Sequence, residues 1–273
     1  MADFNTCTEP QQARRDLFPR GLAQPGEGFR FGADTLLLAA YAARHLPAKA
    51  SAKRTILTGL ELGCGCGAAS LGLALLRPEL PLHITGIDTG PEMVDAANQN
   101  AATLGFDSSF HALAADVRDY RWLSKRGANF VLANPPFRLP GTGRRAATPE
   151  KDRARFEGPG GFVAFAHAAA RCLRTGGLFF LVHLAERLPD LLRDLQEAGL
   201  APECLQPVQG NAGTQARLVL IQARQGGHCT LTLEPALVLY DQDATLSHQA
   251  ATFCPFLTTN PHRRAGNSGE SPC

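Results

Sequence analysis

The chain has 273 residues, of which 44% are hydrophobic and 19% charged, and carries a formal net charge of +2 at pH 7. That length suits one substantial domain with extensions and an ample core, while the near-balanced charge excludes a surface that is polyanion-binding throughout and leaves room only for a local basic patch. No apolar run approaches the ~18 residues that span a bilayer, and Met1 to Asn5 lack the basic start of a secretion signal, so a cytoplasmic protein is expected.

Residues 1 to 27 are polar and interrupted by Pro10, Pro19 and Pro25, which predicts a loose segment. From 34 to 46 (DTLLLAAYAARHL) apolar side chains recur at helical spacing behind Asp34 and Thr35, a capping pair. A short apolar strand over 55–62 runs into the glycine-rich Glu61-Leu62-Gly63-Cys64-Gly65-Cys66-Gly67, and a small-residue helix follows from Ala68 to Leu76. The next strand is 82–87, then a helix from Pro91 to Leu104 with proline in its first turn. Another short strand precedes Asp116, and 129–133 forms a buried strand that must stop at Pro135 and Pro136.

Residues 138–161 turn polar, glycine-rich and basic. A helix from Phe162 to Leu173 ends at Gly176-Gly177, before the strand 178–182; a charged surface helix covers 186–198. Strands are expected near 203–208 and 217–223, with a last extended pair near 230–233 and 236–240. Strands alternating with helices of this length predict an α/β fold with a mostly parallel sheet covered on both faces. The final strands, with no helix between them, predict an antiparallel edge. One domain over 28–257 and a disordered tail over 258–273 complete the expected organisation. Eight cysteines are scattered, and Cys64 and Cys66 have no second pair to complete a zinc spacing, so no metal and no disulfide are expected.

Chemistry concentrates at the predicted strand ends. The G-x-G-x-G turn at Gly63, Gly65 and Gly67 lets backbone approach a ligand, with a spacing unlike that of a dinucleotide pyrophosphate turn. An acid, Asp88, closes the second strand, where a carboxylate can accept from both hydroxyls of a ribose. Asp116 closes the third and suits an adenine amine. Asn134-Pro135-Pro136-Phe137 offers an amide oxygen and a proline carbonyl to a planar amine, with a ring to stack on its face.

In order and approximate spacing these residues resemble the class I S-adenosylmethionine-dependent methyltransferases. The resemblance implies a Rossmann-like, seven-stranded, mostly parallel sheet and S-adenosylmethionine as cofactor. It places Gly63, Gly65 and Gly67 along the methionine and ribose, Glu61 behind them, Asp88 on the ribose and Asp116 on the adenine. Asn134, Pro135, Pro136 and Phe137 match the signature that holds a planar exocyclic nitrogen, with Asn134, Pro135 and Phe137 in catalytic roles. Upstream, Phe29 to Leu38 (FRFGADTLLL) is similar to a segment of bacterial tRNA adenine-N6 methyltransferases acting beside the anticodon of a valine tRNA. That makes Gly32, Asp34 and Thr35 cofactor contacts and tRNA the partner. Asn129 and Phe137 depart mildly from the family pattern, where Asp and Tyr are more frequent. Arg144, Arg145, Lys151 and Arg153 suit phosphate contacts. A glutamine amide, a guanine amine or a DNA adenine remain open as acceptors, as does a non-catalytic RNA-binding scaffold. His111, His167 and His183 read as structural.

Overall fold

The computed structural model describes residues 8–25, 30–47, 56–119, 127–137, 161–228 and 230–259. Its centre is a nine-stranded sheet: β1 Leu57–Leu62, β2 Leu82–Asp88, β3 Phe110–Ala114, β4 Ala128–Ala133, β5 Leu173–Leu184, β6 Leu200–Asn211, β7 Ala216–Gln225, β8 Thr232–Leu233 and β9 Leu237–Tyr240. The spatial order is β3-β2-β1-β4-β5-β7-β6, with β8 and β9 both on the outer side of β6. The five strands from β3 to β5 are parallel, and β7 runs against both β5 and β6. The short connection 212–215 cannot make a crossover, so β6 and β7 form an antiparallel hairpin.

The mostly parallel α/β fold is the one expected, but the sheet has nine strands and not seven, because the two short strands after β7 join it, and there are two further differences. The strand that reverses direction, β7, lies inside the sheet. The last two strands pair parallel to β6, because the chain leaving β7 turns back past the outer side of β6 and runs in its direction.

Helices α2 (Ala33–His45), α3 (Ala68–Leu76) and α4 (Pro91–Leu104) cover one face, joined by α7 (His248–Phe253); α5 (Gly161–Cys172) and α6 (Leu188–Glu197) cover the other. The strand period explains both cores. In β5, Phe180 and Val182 pack with Leu37, Tyr41 and Leu71, while Phe179 and Leu181 pack with Phe162, Ala166 and Leu191. The charged helix over 188–197 is therefore amphipathic: Leu191 and Leu195, four residues apart, are both fully buried.

The loose N-terminal segment contains a helix, α1 (Glu9–Asp16), started by a reciprocal capping box between Thr8 and Gln11. It docks through Arg15, whose Nε donates to the carbonyl of Leu104 at 2.8 Å. The helix predicted to end at Leu173 stops at Cys172, because Leu173 already pairs with Ala128; the chain then bulges, with Gly176 left-handed, before Leu178 pairs with Phe130. Among the described residues no helix is long and apolar enough to cross a membrane. The expected disordered tail lies outside the described residues from 260 onward.

Candidate active site

Strand order reverses between β1 and β4: the chain builds outward through β2 and β3 on one side and through β4 and β5 on the other. In open α/β sheets this switch point, at the carboxyl ends of the strands, leaves a crevice for ligands. Leu62 is level with both Ile87 and Ala133. The register therefore brings the Gly63 turn, Asp88 and Asn134 to one edge of three adjacent strands.

The turn after β1 is left-handed at Gly63, Gly65 and Gly67 (φ +69°, +52° and +82°), a path closed to most side chains. Two carboxylates brace it. Glu61 is buried and accepts from the backbone N–H of Ser70 (3.1 Å) and from its hydroxyl (2.5 Å), tying β1 to the first turn of α3. Burial pushes the Glu61 pKa up to about 7, against the Ser70 hydrogen bonds, which pull it down. Asp88 accepts from Gly65 N–H through one oxygen and from Gly90 N–H through the other, both at 2.9 Å. Each oxygen keeps a lone pair for a ligand hydroxyl.

Asn134 follows β4 directly. Its Nδ2 donates to Asp34 Oδ2 at 3.0 Å and to Thr35 Oγ1 at 2.9 Å. A carboxylate only accepts hydrogen bonds, so the amide NH₂ must face Asp34 and the amide oxygen must face away. That oxygen, Oδ1, is buried and has no hydrogen-bond partner. A buried acceptor without a donor costs roughly 1–3 kcal/mol; here the cost is held in place by two bonds on the opposite side of the same amide. Gly32 makes the arrangement possible, since a Cβ there would lie 2.6 Å from Asp34 Oδ1.

Pro135 is buried, and the half-buried Phe137 packs 5.1 Å (ring centroids) from His183 in β5. His183 is itself buried, and that burial, with Arg187 nearby, pulls its pKa down to about 4, so the ring is neutral. His111 and His167 are exposed. Asp116 follows β3, beside Asp88, whose carbonyl accepts from Ala115 N–H. Its carboxylate is gripped by the Arg118 guanidinium, which lowers its pKa. Arg144, Arg145, Lys151 and Arg153 lie outside the described residues, as does Phe29.

A family model described as a methyltransferase domain matches residues 55–226. The chain belongs to this methyltransferase-domain family. It is 30% identical over 155 residues to a tRNA1(Val) (adenine(37)-N6)-methyltransferase of Enterobacter sp. (strain 638), an alignment covering 56% of this chain and 58% of that protein. It is 31% identical over 176 residues to a release factor glutamine methyltransferase of Deinococcus radiodurans, covering 62% and 58%. The chain thus spans under two thirds of the length of either relative. The crystal structure of a predicted O-methyltransferase from Agrobacterium tumefaciens, 18% identical, shares the fold with a TM-score of 0.62 over 82% of this chain and 96% of that one.

The cofactor of this methyltransferase domain is S-adenosylmethionine, and the residues fit it. A Cβ on the left-handed Gly65 would meet nothing within 4 Å, so the turn faces open space beside Asp88. The partnerless Asn134 oxygen lies at the end of a neighbouring strand.

Around the glycine turn, two supporting residues escape a reading of motifs. Ser70 donates both its N–H and its hydroxyl to one oxygen, Oε2, of buried Glu61. Asn100 donates to the carbonyls of Ala23 (3.0 Å) and Cys66 (2.9 Å) and accepts from Ala23 N–H, stapling the N-terminal segment to the glycine turn. A sequence signal existed for Asn100: it interrupts the apolar face made by Ala96, Ala97, Ala101 and Leu104 in α4. Asp34 and Thr35, both expected on the cofactor, each accept a hydrogen bond from Asn134.

Proposed function

We propose that the chain methylates the N6 amine of an adenine in tRNA, with S-adenosylmethionine as donor. The observation that carries the reading is the Asn134 amide, locked by Asp34 and Thr35 with its oxygen buried and unpaired. Such an acceptor suits an –NH₂ group and would repel a carboxylate or a carbonyl. The tRNA adenine-N6 name of the Enterobacter relative supports the substrate class.

Bound S-adenosylmethionine supplies a methyl group activated by sulfonium. Gly63, Gly65 and Gly67 let backbone approach it, Asp88 accepts from its ribose, and Asp116, held by Arg118, serves its adenine. Glu61 holds the turn from behind. An aromatic amine is a poor nucleophile because its lone pair is delocalised into the ring. Asn134 Oδ1 accepts one of its hydrogens and the Pro135 carbonyl the other, which gives the nitrogen tetrahedral character and takes the lone pair out of conjugation with the ring, toward the methyl group. Phe137, with Pro136 beside it, stacks on the base, which must leave its neighbours to reach the pocket. Catalysis is then positioning and electrostatics. The amine loses its proton after alkylation, so no general base is assigned. Arg144, Arg145, Lys151 and Arg153 would contact phosphates.

A second reading, a glutamine amide acceptor, is favoured by the Deinococcus relative; that group is also planar and presents two N–H donors. The test is to incubate the purified chain with S-adenosylmethionine and either bulk tRNA or a release factor, then analyse both by mass spectrometry. N6-methyladenosine in tRNA is the expected product. Methylglutamine in the release factor with unmodified tRNA overturns the proposal.

A further inference from the structure

The other end of α2 carries a donor set that the methyl-transfer site does not use. His45, in the last turn of α2, Cys204 on β6 and Glu234 just after β8 place one nitrogen, one sulfur and one oxygen within 4.8 Å of one another. Strand pairing creates the cluster: Cys204 is level with Thr232, and the N–H of Glu234 donates to the carbonyl of Leu205 at 2.8 Å.

The protonation pattern is the informative part. His45 Nδ1 lies 2.9 Å from the carbonyl of Tyr41. A carbonyl only accepts, so Nδ1 must carry the hydrogen and the neutral ring presents a lone pair at Nε2. That lone pair faces Glu234 Oε1 at 3.3 Å. Two acceptors pointed at each other repel unless a cation lies between them or the ring is protonated. The same tautomer, with the distal nitrogen bonded to a backbone carbonyl, is how metal-ligating histidines are oriented. The 3.3 Å separation is also the edge of a tetrahedron with metal–ligand bonds of about 2.0–2.1 Å. The third donor, Cys204, is buried and its sulfur completes the cluster.

We propose that His45, Cys204 and Glu234 form a site for a zinc-class divalent ion. His45 and Glu234 are 18% and 30% exposed, which leaves an entry path and a fourth position for water. Nitrogen, sulfur and oxygen together select zinc over magnesium or calcium. The ion would clamp α2 to the β6–β8 edge, although no metal was expected from the cysteine spacing.

The test titrates the chelator-stripped full chain with cobalt(II), then with zinc. One equivalent should produce a thiolate-to-cobalt charge-transfer band, displaced by zinc. Cys204→Ser should abolish the band, and Glu234→Gln should weaken binding at least tenfold. A chain with Cys7, Cys172, Cys229 and Cys273 all changed to serine should keep it. The proposal is overturned by no band in the parent chain, by a band that survives Cys204→Ser, or by unchanged affinity in Glu234→Gln. The last variant decides the matter alone if Cys204→Ser fails to fold. A cluster that binds no metal is a polar contact between α2 and the β6–β8 edge and nothing more.

Discussion

Asp34→Ala isolates the orientation of the Asn134 amide from everything else in the site. The carboxylate accepts one of the two hydrogen bonds from Nδ2, at 3.0 Å, and Thr35 accepts the other, at 2.9 Å. A hydrogen bond to a charged group contributes about 1.5–3 kcal/mol. If that energy holds Oδ1 toward the acceptor amine, its loss slows turnover roughly ten- to a hundredfold, at about 1.36 kcal/mol per decade. Asp34→Asn keeps an acceptor oxygen and loses only the charge, so about 1 kcal/mol and roughly a fivefold slowing are expected. Gly32→Ala should repeat the phenotype, because its methyl would lie 2.6 Å from Asp34 Oδ1 and displace it. The assay is steady-state methyl transfer, with S-adenosylmethionine affinity measured separately by calorimetry. The slowing must fall on kcat, with cofactor affinity changed less than threefold. If cofactor affinity falls tenfold while kcat holds, Asp34 serves the cofactor and the positioning argument is wrong.

Asn134→Ala should bind S-adenosylmethionine normally and lose at least a hundredfold in kcat, the usual effect of deleting one electrostatic partner of the reacting group; full turnover would remove Asn134 from the chemistry. Phe137→Ala should raise KM for the acceptor by roughly five- to a hundredfold, from about 1–3 kcal/mol of lost base stacking, with cofactor binding unchanged. Glu61 makes stability depend on pH. Its folded-state pKa, about 7, lies above the ordinary 4.5, so its contribution is most favourable below pH 4.5 and is lost as pH rises to 7. Over that window the loss amounts to about 3 kcal/mol. Urea unfolding at pH 5 and pH 8 should show Glu61→Gln shrinking the parent's pH dependence by that order, and an unchanged difference would refute it. Gly59→Ala should destabilise by about 1–3 kcal/mol through overpacking, since its Cβ would lie 2.2 Å from Cζ of the fully buried Phe130; Phe130→Leu in the same chain should recover part of the melting temperature.

The sheet and its site were legible wherever one local rule governs. Gly63, Gly65 and Gly67 mark a left-handed turn because other residues are strained there, and Pro135 ends β4 because it has no N–H to give the ladder. Both devices fall at strand ends, so the candidate site residues could be assigned to strand ends before any contact was known, while the switch point needed the strand order. α1 was missed because it is polar all round and buries no side chain, although Thr8 and Gln11 spell its cap. The direction of β8 and β9 was missed because pairing with β6 depends on where the chain goes after β7, which no periodicity records.

Asp34 shows the deeper limit. Its position at the start of α2 reads both as a helix-capping acid and, by resemblance, as a cofactor contact. Its carboxylate also meets a side chain 100 positions away, brought within 3.0 Å by α2 lying across the sheet next to β4. The amide is symmetric in shape and opposite in polarity at its two ends, so sequence can name Asn134 without saying which end faces the substrate. One carboxylate on a different element answers that, because it can accept from NH₂ and can only repel the oxygen. The orientation of the amide is therefore a property of the pair Asp34 and Asn134, and under the proposed function that orientation sets which end of the amide meets the acceptor.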